Sequence, residues 1–320
     1  MSASKWPSPA AAPAPSKPQA VRPKAQFDPS EFADDRTPQK LTITVYGAKD
    51  SGKSTQTFAL PGSKFVLSFD HRSKDARDNS IHKGDASIHV FNGAKYFNEF
   101  DFTTAELSVE FIMAGLAWAA EYYRPDWVVI DGYERLEKIA DAVMRHKHGL
   151  AHDGKVPDWN YYSTRNTVVK AIWHRALETA RLGIVFCCYY KEKVLARENG
   201  ETVLSKKAPH WIDLVEQETN ITVETTKAYS PLLKKFIYTA VVDCKKDWDG
   251  DLYGRIFGSG ETFDLTDGKV LPWKERLVKV IALADAGRLD IPAKAEVVPP
   301  ITSASVASAG PKIKPPTVTL

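Results

Sequence analysis

The stretch VYGAKDSGKST, residues 45–55, decides the fold predicted for this chain. Two glycines, two lysines and three hydroxyl residues follow directly on the β-rich run LTITVY (41–46). The segment from Gly47 to Ser54 matches the pattern G-x-x-x-x-G-K-[ST], in which backbone N–H groups of a glycine-rich loop surround phosphate oxygens. A β-run precedes the loop and a helix is expected over 54–60. We therefore predict a phosphate-binding loop rather than an ordinary glycine-rich turn.

Each residue of this loop then has an expected role in binding a nucleotide. Lys53 would neutralise the two outer phosphates of a triphosphate, and the Ser54 hydroxyl would bind Mg²⁺. The N-terminal end of the following helix would add a dipole that favours the anion. The predicted nucleotide-binding residues are Gly47, Ala48, Lys49, Asp50, Ser51, Gly52, Lys53, Ser54 and Thr55.

A magnesium site beside the loop needs an acid at the end of a neighbouring buried strand. The run DWVVIDG (126–132) supplies Asp131 directly after three apolar β-branched residues. Asp131 could instead cap the helix that follows, and both roles could hold together. Because strand-end acids beside phosphate loops recur in nucleotide hydrolases, we expect Asp131 and Ser54 to hold the metal ion between them.

The remaining pattern predicts one α/β domain. Apolar β-runs without polar alternation are separated by helical patterns, which is typical of a parallel sheet covered on both faces. Beyond residue 190, Asn199–Gly200 predicts a hairpin, so antiparallel strands are expected in the C-terminal third. The other predicted strands are 41–46, 64–70, 86–91, 126–132, 183–190, 221–227, 236–244 and 251–257, and the predicted helices are 103–123, 134–148, 160–182 and 273–287.

Composition separates the two ends of the chain from this domain, which we place at 39–290. Residues 1–38 and 291–320 are rich in Ala, Pro and Ser and predict disordered tails. The net charge is +3 over 320 residues, and the small excess lies at the two ends. Bulk charge therefore gives no indication of nucleic-acid binding.

Cysteine usage and hydropathy predict a soluble, cytoplasmic protein with no membrane partner. Cys187, Cys188 and Cys244 form an odd set without a C-x-x-C spacing, which favours reduced thiols over disulfides or a zinc site. No apolar run approaches the roughly 20 residues that a membrane-spanning helix needs.

With these residues the chain resembles the RecA/RadA-type P-loop ATPases, and most of all the compact phage-encoded, Sak-type single-strand annealing ATPases. Four stretches carry the resemblance: YGAKDSGKST, KFVLSFDHRSKD, PDWVVIDGYERL and RLGIVFCCYYKEKV. It implies a RecA-like core that binds ATP and Mg²⁺ at the loop, with Asp131 as the Walker B acid. It also implies a sensor residue after the fifth core strand, where Tyr190 or Lys191 stands.

The same resemblance implies a function and partners. The protein would be virus-encoded, would assemble into a homo-oligomeric ring or filament, and would act on single-stranded DNA in recombination, annealing or repair. A single-strand-binding protein is a possible further partner.

The water-activating residue stays open at this stage. Members of the family often carry a glutamate just past the second core strand, and Arg72 stands at that position here. Asp70, Asp75 or Glu134 could serve instead, because a general base must reach the attacking water directly or through one water. Together with Lys53 and Asp131, Asp70 and Glu134 complete the predicted catalytic set.

A DNA surface is expected on the segment 189–211, which in the family follows the sensor strand. Cations that track phosphates and aromatic rings that stack on bases are what single-strand binding requires. The candidate cations are Lys191, Lys193, Arg197, Lys206 and Lys207. The alternative is a solvated hairpin, whose field Glu192, Glu198 and Glu201 dilute.

Lys245 and Lys246 are candidates for a cation that one subunit inserts into its neighbour's ATP site. The alternative is a pair of exposed strand-end lysines. His146, His148 and His152 fall in an expected loop and receive no metal assignment, and the run WNYY (159–162) is expected in the core or an interface.

Two other functions compete with the ATPase prediction. Arg72 favours a non-catalytic module that binds nucleotide as a switch. A small-molecule or nucleoside kinase would need an arginine-rich lid, which the sequence does not contain.

Overall fold

The computed structural model describes residues 40–70, 72–152, 154–198, 201–210, 215, 218–244 and 260–277, with only the backbone described at 193–198 and 201–206. The predicted tails, Lys245, Lys246, the predicted strand 251–257 and most of the predicted helix 273–287 lie outside these residues. Of that helix, residues 273–277 are described and are helical.

The described strands and helices follow the predicted order. The strands are β1 (Leu41–Gly47), β2 (Lys64–Ser68), β3 (Ile88–Asn92), β4 (Trp127–Asp131), β5 (Gly183–Cys188), β6 (Tyr190–Glu198), β7 (Glu201–Pro209), β8 (Ile221–Ser230), β9 (Lys235–Cys244) and β10 (Thr262–Asp264). The α-helices are α1 (Lys53–Phe58), α2 (Ser73–Asp78), α3 (Thr103–Trp118), α4 (Tyr133–Lys147) and α5 (Tyr162–Thr179). A π-helical turn at Ala119–Tyr123 extends α3, and short 3₁₀ turns lie at Trp159–Tyr161 and Thr266–Gly268.

Eight of these strands form one mixed sheet in the order β10-β9-β8-β1-β5-β4-β2-β3. From β8 to β3 all neighbouring pairs are parallel, whereas β8–β9 and β9–β10 are antiparallel. The predicted hairpin is a separate antiparallel pair, β6–β7. The expected fold class, a mostly parallel α/β sheet with antiparallel strands in the C-terminal third, is confirmed. The short edge strand β10 was not predicted.

Both faces of the central strands are covered, as their unbroken apolar sequences require. In β4, Trp127 and Val129 pack into the cluster that contains Phe58 of α1, while Val128 and Ile130 pack into the cluster formed with α3, α4 and α5. Successive side chains of a strand point to opposite faces, so each face of β4 contributes to a different half of the core. Each residue of β4 and β5 is buried.

The parallel order places the ends of three strands side by side. β5 lies between β1 and β4, with Tyr46 opposite Cys188 and Cys187 opposite Asp131. Ser68, the last residue of β2, lies opposite Asp131 on its other side. The loop after β1 and the acid at the end of β4 are therefore at the same edge of the sheet.

Three details differ from the predictions. Asp131 does not cap α4, because Gly132, with φ of 88°, occupies the N-cap. His146 lies in the last turn of α4, within the predicted helix 134–148 and not in the loop also expected for it. Trp159 is 84% exposed and so lies outside the core, one of the two places expected for it, whereas Asp158 caps the turn that follows by accepting a hydrogen bond from the Asn160 amide, as expected.

In the described part of the chain, no helix combines the length and hydropathy needed to span a bilayer.

Candidate functional site

The loop between β1 and α1 has the tight backbone that its glycines predict. Gly52 has φ of 92°, and Asp50 has φ of 59°. At Gly47 the constraint is space, because a Cβ would lie 2.2 Å from the carbonyl oxygen of Thr225. The Ser51 hydroxyl closes the turn by donating to the Ala48 carbonyl at 2.8 Å and lies 2.7 Å from the Thr225 hydroxyl. The loop is thus held against β8.

The loop leaves a set of backbone donors available. Among the described residues, the amides of 52–55 have no hydrogen-bond acceptor, since the first helical amide with a partner is that of Gln56, which donates to Gly52. Unpaired amides at the start of a helix are donors that an anion can use. These amides belong to the N-cap and first turn of α1, which has only six residues, and Lys53 adds a full positive charge beside them.

The side chain of Lys53 is half-buried and turns back onto this loop. Its ammonium donates to the carbonyls of Ala48 at 2.7 Å and Gly47 at 3.3 Å, and it lies 4.4 Å from the centroid of the Tyr189 ring. Burial lowers the pKa of Lys53. Carbonyl and ring contacts only partly replace water around a cation, so Lys53 is a strong potential partner for an anionic ligand.

Ser54 and Asp131, predicted to share a metal ion, are brought together by the fold. The Ser54 hydroxyl donates to Asp131 Oδ2 at 3.1 Å, and the hydroxyl of Ser73 donates to the same oxygen at 2.7 Å. Ser73 Oγ also lies 2.7 Å from Ser68 Oγ. Ser73 was not identified from the sequence, because a serine at the start of a short helix has no distinguishing pattern.

The surroundings of the buried Asp131 carboxylate disfavour its charged form. Burial, with a smaller contribution from the negative charge of Asp70, raises the pKa of Asp131 to about 6 against the hydrogen bonds from Ser73 and Ser54. A cation bound beside it would remove this desolvation cost in part.

Glu134, on the first turn of α4, lines the same cleft as Asp131. Burial raises the pKa of Glu134 to about 7, although its carboxylate accepts a hydrogen bond from the Tyr189 amide. Tyr189, just past β5, thereby connects Glu134 with Lys53. Tyr189 lines the cleft, whereas Tyr190 and Lys191, the two residues predicted at the sensor position, do not.

These residues line one cleft of about 640 Å³. It contains the predicted loop residues from Lys49 to Thr55 together with Asp70, Asp131 and Glu134, whereas Asp75 is exposed on α2 and does not line it. Arg72, at the position of the family's glutamate, also lines the cleft, and its guanidinium lies 3.9 Å from the Asp50 carboxylate, with both side chains exposed.

The residues present fit a polyphosphate with a magnesium ion. A loop that a Cβ at Gly47 would disrupt, the amides of 52–55, which have no acceptor among the described residues, and a half-buried ammonium suit phosphate oxygens. The Ser54 hydroxyl and the Asp131 carboxylate are the oxygen donors that Mg²⁺ prefers.

The predicted DNA-binding cations are only partly described. Lys191 and Lys207 are exposed on the β6–β7 hairpin, and the Lys207 ammonium lies 4.8 Å from the Tyr190 ring centroid. The side chains of Lys193, Arg197 and Lys206, like all of Lys245 and Lys246, lie outside the described residues.

The described histidines and cysteines make structural contacts. Within the described residues there is no group of three or more metal-ligating side chains. His148 stacks on Tyr161 and His152 on Phe102. Among the described residues, Cys187, Cys188 and Cys244 are buried and form no disulfide.

Comparison with known proteins gives similarity of fold only. No protein-family model and no curated protein sequence matches the chain. Among solved structures, a KaiC-like protein from Pyrococcus horikoshii is 11% identical, with 71% of this chain and 85% of that chain covered and a TM-score of 0.37. The flagellar accessory protein FlaH from Methanocaldococcus jannaschii is 12% identical, with 64% and 78% covered and a TM-score of 0.32. The strand order and the loop described above give a mostly parallel α/β sheet with a phosphate-loop motif between β1 and α1.

Proposed function

We propose that this protein binds Mg²⁺–ATP between the glycine-rich loop and the end of β4 and hydrolyses it. The observation that carries the proposal is the Ser54 hydroxyl, 3.1 Å from the buried Asp131 carboxylate, beside a loop with available amides. These are the two halves of a metal–phosphate site, and the sequence separates them by 77 residues. Their meeting is difficult to explain as a requirement of packing, because a buried carboxylate costs stability.

Each residue of the site then has a defined task. The loop amides and Lys53 bind the phosphate oxygens, and Lys53 exchanges its two carbonyl acceptors for phosphate. Ser54 and Asp131 hold the metal, with Ser73 fixing the orientation of the Asp131 carboxylate. Bound Mg²⁺ would withdraw charge from the outer phosphates and orient them.

Asp70 and Glu134 are the remaining candidates for activating water, since Asp75 does not line the cleft. Glu134 has the more suitable proton affinity, because burial raises the pKa of its carboxyl to about 7. A base whose pKa lies near the working pH combines a sufficient deprotonated fraction with a useful driving force for proton transfer.

The deciding experiment measures ATP binding and phosphate release by the full-length chain, with Mg²⁺ or with a chelator, and with or without single-stranded DNA. We expect Mg²⁺-dependent binding and release of phosphate. Tight binding without release under any of these conditions would instead support the nucleotide-gated module that Arg72 suggests, and transfer of phosphate to a nucleoside would support a kinase. The absence of ATP binding would refute the proposal.

We further propose single-stranded DNA as the ligand of the β6–β7 hairpin and a ring or filament of identical subunits as the active form. The hairpin starts at Tyr190, directly after the residue that contacts both Lys53 and Glu134. It carries five cations against three carboxylates, together with exposed tyrosine. Recombination, annealing or repair in a virus is the setting that we propose for this activity.

Reversing two described charges of the hairpin is expected to weaken DNA binding and its salt dependence. In the double variant Lys191→Glu and Lys207→Glu, the slope of log affinity against log salt should fall by about 1.4, because each lost phosphate contact with a single strand contributes roughly 0.7. Titrations of labelled oligonucleotide at several salt concentrations measure it. The matched control reverses Lys147 and Lys170, which are exposed on α4 and α5. An identical slope in both double variants would exclude the hairpin as the DNA surface.

A further inference from the structure

The cleft extends well beyond the residues that hold phosphate and metal. Its far end is formed by β9 and the turn that follows β10, and it is lined by Lys235, Phe236, Tyr238, Leu265, Asp267, Gly268 and Lys269. We call Phe236 and Tyr238 the aromatic wall. A cleft of about 640 Å³ falls within the range of sites that enclose a whole small ligand.

The aromatic wall continues the same face of the sheet that supports the loop. On β8, the Thr225 side chain contacts Ser51 of the loop, and Lys227 and Tyr229 follow on that face at alternate positions. Tyr238 pairs with Lys227, and Phe236 pairs with Tyr229. At about 3.3 Å per residue along a strand, the two rings lie about 7 and 13 Å beyond the level of Thr225. A triphosphate followed by a ribose covers a comparable length.

Contacts around the aromatic wall hold its rings in place. The Lys227 ammonium lies 4.4 Å from the Phe236 ring centroid and 5.8 Å from that of Tyr238, and Tyr229 meets Phe236 edge to face at 5.5 Å. Phe236 nevertheless stays 49% exposed. A large aromatic ring that is fixed by neighbours and open to a cleft has the properties of a stacking platform.

A buried glutamine joins this end of the cleft to the loop helix. The Gln56 side chain donates to the Lys269 carbonyl at 3.1 Å and accepts from the Leu271 amide at 2.8 Å, and the Trp273 indole donates to the Gln56 carbonyl at 3.0 Å. These hydrogen bonds join the segment that follows the turn Thr266–Gly268 to α1. The turn is also bonded to β9, because the backbone amide of Tyr238 donates to the Thr266 hydroxyl at 3.1 Å.

We propose that the aromatic wall is the base-binding subsite of the nucleotide, with Phe236 as the main stacking residue. This inference rests on the proposed function, because it places the base of the nucleotide whose phosphates the loop holds. Lys235 and Asp267 line the same end of the cleft, and the Lys235 ammonium lies 2.8 Å from the Asp267 carboxylate. The edge of the base can therefore meet both a hydrogen-bond donor and an acceptor there. Recognition is then mainly by ring area, and the subsite takes purine nucleotides in preference to pyrimidine nucleotides.

The test compares the full-length chain and its variants in titrations with ATP, CTP and inorganic tripolyphosphate, each with Mg²⁺. We expect Phe236→Ala to weaken ATP binding about tenfold, from the loss of one base–aromatic stack, and to leave tripolyphosphate binding unchanged. Phe236→Trp should restore ATP binding. Leu232→Ala is the matched control, because Leu232 is 90% exposed in the turn between β8 and β9 and does not line the cleft.

The outcomes separate the two proposals. Unchanged ATP affinity in Phe236→Ala would overturn the base subsite alone, as would an equal loss of ATP and tripolyphosphate binding, since Phe236 would then act through the loop. Equal affinity of the unsubstituted chain for ATP and CTP would overturn the purine preference. If the unsubstituted chain binds neither ATP nor tripolyphosphate, the proposed function is overturned, and the base subsite with it.

Discussion

Lys53→Ala is expected to lower the affinity for Mg²⁺–ATP about 100-fold. An ammonium 4 Å from a phosphate charge at an effective dielectric constant of about 20 contributes roughly 4 kcal/mol. The loss of the carbonyl contacts that Lys53 now makes at Ala48 and Gly47 offsets part of this gain. About 3 kcal/mol remains, which corresponds to roughly two powers of ten in the dissociation constant. Equilibrium binding of ATP by the purified variant measures the effect.

The fold should survive this substitution, because burial already lowers the pKa of Lys53 and so makes its charged form costly in the folded state. Lys74→Ala is the matched control, since Lys74 is an exposed lysine of α2 that does not line the cleft. Its affinity for ATP should change much less than that of Lys53→Ala. Equal affinities in the two variants would refute the assignment of the loop as a phosphate site.

Asp131→Asn is expected to reduce Mg²⁺-dependent phosphate release by about 10- to 100-fold, the range found when an outer ligand of a metal site is lost. The amide oxygen can still accept the hydrogen bonds from Ser54 and Ser73, but the negative charge that attracts the cation is gone. Phosphate release as a function of Mg²⁺ concentration measures it. Glu110→Gln, on an exposed carboxylate of α3, is the control. Unchanged turnover in Asp131→Asn would exclude Asp131 from the metal site.

A stability measurement on the same variant shows whether a loss of turnover comes from unfolding. Burial raises the pKa of Asp131 to about 6, whereas the unfolded chain has the ordinary value of about 3.9. Between these values the folded state binds more protons, so the free energy of unfolding of the unsubstituted chain falls as pH rises. The loss is of the order of 3 kcal/mol once pH exceeds 6.

Asp131→Asn lacks this titration, so in chelator-containing buffer it should be the more stable protein above pH 6, and its advantage should shrink towards pH 4. Chemical unfolding at several pH values tests this. If the variant is less stable than the unsubstituted chain at pH 7, Asp131 stabilises the fold, and the prediction that its burial lowers the free energy of unfolding is wrong.

Most of the fold could be predicted because its signals are local. The β-run before the loop, the apolar run that ends in Asp131 and the helical periodicity of 134–148 each depend on neighbouring residues, and all three have the expected structure. The short strand β10 was missed since three residues carry no period. His146 was placed both in the predicted helix 134–148 and in a loop near Gly149, and the structure has it in the last turn of α4, which ends at Lys147.

The candidate site was predictable only in part, for the same reason. The loop motif identifies its own residues, and Asp131 is marked by the strand that it ends. Ser73, Tyr189 and Gln56 have no such mark, because each acquires its contacts from segments distant in the chain. That Tyr189 lines the cleft and Tyr190 and Lys191 do not depends on where β5 ends, which its pairing with β1 and β4 sets.

The sequence by itself determined that this chain contains a phosphate-type loop between a strand and a helix, a strand-end acid and a largely parallel sheet. It determined these because backbone conformation and strand burial follow from short-range composition and periodicity. Only the tertiary structure decided that Ser54 meets Asp131, that Lys53 lies beneath Tyr189, and that Phe236 faces the same cleft. Those contacts depend on strand order and register, which join residues tens to hundreds of positions apart and leave no trace in any single segment.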